Sequence, residues 1–330
     1  MNEFTSPLAS SGVSPFGALA FGTPALPPAL LALRHTLQAQ LNTSLARLPP
    51  VLQEEAQGII AGYSGPSKDF FGLFYQPVWS FLHWVVATSA EPVSPSIVDD
   101  ACTAQALGLF LHLWDDHLCD GQLPTTQLTL QVRTDAWATY LAAASRLAQQ
   151  VGASQAEVDW HVSTYLSAIH VAEPIDNLGD FCARFERQIA IWTLVPRLIG
   201  RTVSGTQAGE ELATVLRAFC NAWRLMDDLQ DVEDDVLAGV ESAAWQVLDG
   251  PGRSAWSVCH AQSKALGHLH PESWALLLQR MHDTGCIAHL LAQTYGWLES
   301  AAQLAQANHW HQLADEIRAH RPFTIDAPPA

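Results

Sequence analysis

Apolar residues recur along this chain at three- and four-residue steps almost from end to end, the period of one face of an α-helix. The spacing predicts helices over 27–47, 51–62, 70–88, 95–119, 124–150, 154–171, 177–200, 207–237, 271–306 and 308–320. Turn punctuation falls between them, at Gly65-Pro66, Glu91-Pro92, Gly121, Glu173-Pro174, Gly205 and Asp249-Gly250-Pro251-Gly252. No segment sustains the period-two alternation of a half-buried strand, and no Asn-Gly or Asp-Gly hairpin turn joins two such segments, so strands are not expected. The least regular stretch, 239–270, reads as a loop with short helices. Residues 1–23, rich in Ser, Gly, Pro and Ala, read as a disordered N-terminal arm. Without a fixed-period repeat or an internal linker, residues 24–330 read as a single all-α domain.

Composition narrows what such a domain can do. Of 330 residues, 48% are hydrophobic and 15% charged, enough apolar surface for a large core and too much for a disordered chain. The net charge is −17, which excludes non-specific binding to nucleic acid or to an anionic membrane, since both need a basic footprint. Lysine occurs only at Lys68 and Lys264, so a bound anion must be held by arginine, backbone or metal. The six cysteines are scattered without a CxxC pair and read as free thiols of a reducing compartment. No apolar run reaches the ~18–20 residues of a membrane span. Pro24–Leu33 is apolar but carries three prolines, and the N-terminus lacks the basic region of a secretory signal. A cytoplasmic location is expected.

Two acidic clusters stand out against this low charge. The first is Leu113-Trp114-Asp115-Asp116-His117-Leu118-Cys119-Asp120-Gly121, in which Asp116 and Asp120 lie one helical turn apart. In the second, Leu225-Met226-Asp227-Asp228-Leu229-Gln230-Asp231-Val232-Glu233-Asp234-Asp235, the residues Asp227, Asp231 and Asp235 repeat at four-residue steps along one stripe. Both clusters end long apolar helices, where the helix dipole disfavours carboxylates by up to about 1 kcal/mol each and the carboxylates repel one another. Solvent offsets this at an exposed helix end. A hard divalent cation does so better: Mg²⁺ accepts a few carboxylate oxygens, keeps several waters and completes its shell with substrate phosphates.

The pair of clusters resembles the class I isoprenoid synthases, the trans-prenyltransferase and terpene-cyclase superfamily. Asp115-Asp116-His117-Leu118-Cys119-Asp120 is similar to the first motif in its DDxxxD form; in the commoner DDxxD form the last acid would fall at Cys119. Asp227-Asp228-Leu229-Gln230-Asp231 is similar to the second DDxxD motif, and the run to Asp235 also fits the cyclase pattern (N/D)DxxSxxx(E/D), with Asp227 in place of Asn and Asp231 in place of Ser. The resemblance covers residues 70–320. It implies an all-α helical bundle around a central cavity, with Asp115, Asp116, Asp120, Asp227, Asp231 and Asp235 holding Mg²⁺, three ions in the family, around the diphosphate of a prenyl substrate. It further implies a diphosphate-contacting base about 40 residues before the second motif, where Arg184 and Arg187 stand, with Asp115, Asp116 and Arg187 as the catalytic set. Arg224 either contacts phosphate or neutralises Asp228, and Arg318 and Arg321 are candidates to close over the site. Homodimers are common in the superfamily.

Within the superfamily, chain elongation needs a second diphosphate site, built from a Gly-Gly-Lys-Arg segment and an Arg-Arg-Gly segment. Neither is present, and after Asp120 no basic residue appears until Arg133. A one-substrate reaction follows: a terpene synthase that ionises a C15 or C20 diphosphate, linear or bicyclic, and releases a hydrocarbon or alcohol. The alternatives are a condensing prenyltransferase with a diverged acceptor site and a non-catalytic helical partner subunit. A carbocation needs a dry pocket with aromatic faces. Phe110, Leu111 and Trp114 before the first motif, and Ile191 and Trp192 after Arg187, are the expected lining.

Overall fold

The computed structural model describes residues 16, 19–64, 69–170 and 175–324, and the statements below concern these residues. They form α1 (Pro28–Leu45), α2 (Pro50–Ser64), α3 (Pro77–Ala87), α4 (Pro95–Cys119), α5 (Gln127–Gln150), α6 (Gln155–His170), α7 (Leu178–Gln188), α8 (Ala190–Gln230), α9 (Val232–Ala238), α10 (Ala243–Val247), α11 (Gly250–Leu266), α12 (Pro271–Asp283), α13 (Cys286–Ala307) and α14 (His311–Ala319). No helix is long and apolar enough to cross a membrane.

Local chemistry sets many of the boundaries. Proline opens α1, α3, α4 and α12 within the first two positions, where its missing N–H costs nothing. Thr126 and Thr129 form a reciprocal capping box at α5, and Asn177 caps α7 by accepting from the Asp180 N–H at 3.0 Å. Where one helix is expected over 70–88, Pro77 forces a new start: residues Phe70–Leu73 form a single 3₁₀ turn ahead of α3. The expected helix 271–306 is split by Gly285 at φ 65°. The irregular 239–270 stretch resolves into α10 and α11.

Strands were not expected, yet β1 (Leu19–Phe21) and β2 (Pro322–Thr324) pair antiparallel, with Ala20 opposite Phe323. Three residues are too few for a period-two signal. The arm read over 1–23 therefore does not hold for 19–21; residues 1–15 and 17–18 lie outside the described residues. The Gln230 side-chain amide donates to the Leu19 carbonyl at 2.7 Å, tying this clasp to the end of α8.

The larger core wraps α4, in which nearly every side chain from Asp100 to Asp115 is buried. A helix enclosed on all sides carries no polar stripe, which is why α4 reads as continuously apolar. A smaller core lies under α9–α13. Helix α8 breaks at Ser204-Gly205, where Gly205 takes φ 83° and ψ −175°, a conformation open only to glycine. Across the break, Gly200 and Gly209 let backbone meet backbone: a Cβ on Gly200 would stand 2.8 Å from the Gly209 Cα, and one on Gly209 would fall on the Arg197 carbonyl oxygen. Gly209→Ala is therefore expected to destabilise the fold by about 1–3 kcal/mol, read from urea denaturation.

Candidate functional site

The C-terminal halves of α4 and α8 flank a cavity of about 250 Å³, to which α6, α7 and Phe74 also contribute. One part of its wall is acidic: Asp115, Asp116 and Asp120 from α4 and its end, and Asp227 from α8. The other is aromatic: Phe74, Phe185, Trp192 and Trp223. Trp192 stacks on Trp223 with ring centres 5.8 Å apart at 15°, and Phe74 stands edge-on to Trp192 at 5.9 Å. Arg184, Gln188 and Arg224 line this cavity and also a second one of about 410 Å³, whose wall adds Ile175, Phe181, Val240 and Glu241.

The two members of each aspartate doublet live in different surroundings. Asp115 is 2% exposed, and Arg133 of α5 grips both its oxygens, Nε to Oδ1 and Nη2 to Oδ2 at 3.1 Å. The Tyr165 hydroxyl of α6 donates to Oδ2 at 3.2 Å. Asp228 is likewise buried, pairs with Arg224 one turn earlier at 3.0 Å, and accepts the Ala243 N–H at 2.6 Å at the start of α10. Asp116, Asp120 and Asp227 share the cavity wall with Asp115, but Asp116 and Asp120 are exposed there and Asp227 is half-buried.

Arg224 neutralises Asp228, the second of the roles expected for it, while its guanidinium lies 5.7 Å from the Phe181 ring centre. Burial opposes its charge, but Asp228, Asp227, Asp235 and Asp116 outweigh it, so Arg224 sits between both acidic clusters. Arg184 has no ion pair among the described residues, and its Nε is enclosed without a hydrogen-bond partner. Arg187 bonds the Ala183 carbonyl at 3.2 Å and does not line the cavity, contrary to the catalytic place expected for it. Arg318 and Arg321 are also elsewhere, on Asp315 and Glu299.

Of the expected aromatic and aliphatic lining, only Trp192 reaches the wall. Phe110, Leu111, Trp114 and Ile191 are buried in the core; Phe110 packs on Trp114 at 5.0 Å and Trp114 donates its indole N–H to the Thr129 carbonyl. The reason is rotational. The Asp115 carboxylate, although on the cavity wall, is held toward α5 and α6 by Arg133 and Tyr165, and Leu111, one turn earlier on its face, is buried in the core; His112, Asp116 and Asp120 line the cavity from the neighbouring face. His112 is fixed by the Gln188 carbonyl at 3.0 Å from Nδ1, and burial lowers its pKa to about 4, so it is neutral.

The acids fit a hard cation. Burial and its neighbour Asp116 raise the pKa of Asp120; burial and Asp227 raise that of Asp231 to about 6. Asp235 is pushed to about 8 by burial and by Asp228, and its Oδ2 is enclosed without a hydrogen-bond partner. Such all-oxygen, mutually repelling donors suit Mg²⁺. Among the described residues no three of these side chains converge as a ready-made metal site. Both Asp231 and Asp235 bind protons more readily than an unfolded aspartate, which titrates near about 4. Buried His112, His161 and His320, held neutral, act in the opposite sense below about pH 6.5, so stability of the metal-free protein should fall as pH rises from about 6.5 to about 8, through Asp235. Thermal melts across that window check this, and Mg²⁺ with inorganic diphosphate should flatten the trend.

Sequence reasoning missed Arg133, Tyr165, Phe74, Phe185, Gln188 and Trp223. Trp223 stands one turn before Asp227, and Phe185 and Gln188 adjoin Arg184 and Arg187, so spacing could have marked these three; Arg133, Tyr165 and Phe74 stand at no such spacing.

Neither a protein-family model nor a curated protein sequence matches the chain. A crystal structure of polyprenyl synthetase from Streptomyces coelicolor A3(2) is similar in fold: TM-score 0.59 at 13% identity, over 87% of this chain and 98% of that one. The fold is the all-α isoprenoid-synthase bundle around a central cavity.

Proposed function

We propose that this chain is a Mg²⁺-dependent class I terpene synthase, which ionises a single prenyl diphosphate and releases a terpene hydrocarbon or alcohol with diphosphate. The observation that carries the reading is one cavity lined by carboxylates from two helices, by stacked tryptophans, and by Arg184, whose Nε is enclosed without a hydrogen-bond partner among the described residues. Asp116 and Asp120 on α4, and Asp227, Asp231 and Asp235 along α8 and α9, are the residues that would hold Mg²⁺, which when bound neutralises the departing diphosphate. Arg184 offers a half-buried guanidinium, its Nε enclosed, to the same anion, and charge-assisted donors of this kind are strong in a water-poor site. Arg224 lends further positive potential, held in place by Asp228. Phe74, Trp192 and Trp223 exclude water from the hydrocarbon end and face the allylic cation with their π-clouds, worth about 0.5–2 kcal/mol per contact.

A condensing prenyltransferase is the competing reading, favoured by the structural neighbour's being a polyprenyl synthetase. Condensation needs a second anion site. The adjoining 410 Å³ cavity adds no base of its own: it shares Arg184 and Arg224 with the first and contributes Glu241. Two diphosphates would compete for the same two arginines, and the one-substrate reaction is preferred. The test is to supply C10, C15, C20 and bicyclic C20 diphosphates singly, with and without isopentenyl diphosphate, and analyse the products. In the same assay Arg184→Ala should lower kcat/KM about 100-fold, and Arg187→Ala less than threefold.

A further inference from the structure

We infer that Asp115, although it leads the first acidic motif, is no part of the cation-holding set: it anchors α4 to α5 and α6 through Arg133 and Tyr165, leaving Asp116 and Asp120 as the motif's working carboxylates. The inference rests on the metal reading above and refines it.

An ionised carboxylate offers about four acceptor positions. Three of those on Asp115 are taken, by Arg133 Nε, Arg133 Nη2 and the Tyr165 hydroxyl. The grip on Arg133 is two-pronged, the geometry in which arginine holds a carboxylate best. Asp115 is 2% exposed, so turning toward an ion would strip Arg133 and Tyr165 of their partner in a buried place. Tyr165 is itself locked, with its ring against Trp137 and His112. Asp116 and Asp120 share the cavity wall with Asp115 but are exposed there, one turn apart on a single face.

The second motif repeats the division. Asp228 is buried and committed to Arg224 and the Ala243 N–H, while its neighbour Asp227 lines the cavity. Each doublet thus contributes one neutralised anchor. A motif reading that counts Asp115 as a ligand is shifted by one residue.

The test compares the full chain with Asp115→Asn, Asp116→Asn, Arg133→Met and the Asp115→Asn/Arg133→Met pair. Mn²⁺ binding is titrated by calorimetry with inorganic diphosphate present, and melting is followed without metal. Asp116→Asn should lose at least about tenfold in Mn²⁺ affinity and melt within about 2 °C of the parent. Asp115→Asn should melt about 5–10 °C lower, because Arg133 loses its counter-ion, and keep Mn²⁺ affinity within about twofold. The double variant should recover most of the melting temperature and bind Mn²⁺ like the parent with no carboxylate at position 115. If Asp115→Asn does not fold, the double variant and Arg133→Met carry the same test. Loss of Mn²⁺ affinity in the double variant equal to that of Asp116→Asn would overturn the inference, as would an Asp115→Asn protein that melts like the parent. A parent chain that takes up no Mn²⁺ with diphosphate would overturn the metal reading itself, a result distinct from either.

Discussion

Asp227→Ala is expected to slow Mg²⁺-dependent diphosphate release about a thousandfold, a barrier increase of about 4 kcal/mol, while leaving the melting temperature close to the parent's. The residue stands on the cavity wall at the end of α8, in the same cavity as Asp116 and Asp120. Its charge raises the pKa of Asp231 next along the stripe and supports the Arg224 cation. Removing it takes away a donor for the metal cation. Stopped assays of released diphosphate, beside thermal melts, separate this from a loss of stability. A destabilised but active variant would mean that Asp227 supports structure only.

Asp228→Ala, one residue later, is expected to do the opposite: a loss of about 3–5 kcal/mol in unfolding free energy, with activity failing only as the fold fails. Asp228 is 3% exposed, balances Arg224 at 3.0 Å, and accepts the 2.6 Å hydrogen bond that starts α10. Alanine leaves a cation without its partner and an N–H without an acceptor. Urea denaturation followed by circular dichroism reads the loss. Adding Arg224→Met should recover part of it, since a neutral pair leaves no uncompensated charge.

These neighbours also mark where the sequence was legible and where it was not. Helical periodicity placed α1, α4, α5 and α6 to within a few residues, because apolar spacing and proline or threonine starts agree there. The acidic motifs were visible because charge is scarce in this chain and both follow apolar helices. The rotation of α4 was not. A change of one residue turns a helix by about 100°, and which of Asp115 and Asp116 is tied up in hydrogen bonds depends on Arg133, 18 positions away, and Tyr165, 50 away. The same rotation took Phe110, Leu111 and Trp114 into the core. Likewise the break between α7 and α8 falls at Ile189, among residues of good helix pattern, where His112 and His161 hold the carbonyls of Gln188 and Ala190 at 3.0 and 2.9 Å. Such long-range hydrogen bonds leave no local spacing to read. Arg184 and Arg187 share a helix face by spacing, yet only Arg184 lies on the cavity wall.

The measurement that bears most directly on the central claim is gas chromatography–mass spectrometry of the purified chain with single prenyl diphosphates, in Mg²⁺ and in EDTA. The account predicts a hydrocarbon or alcohol that appears with one substrate, needs Mg²⁺, and is unchanged by isopentenyl diphosphate. A lengthened prenyl diphosphate formed only when isopentenyl diphosphate is supplied would contradict it.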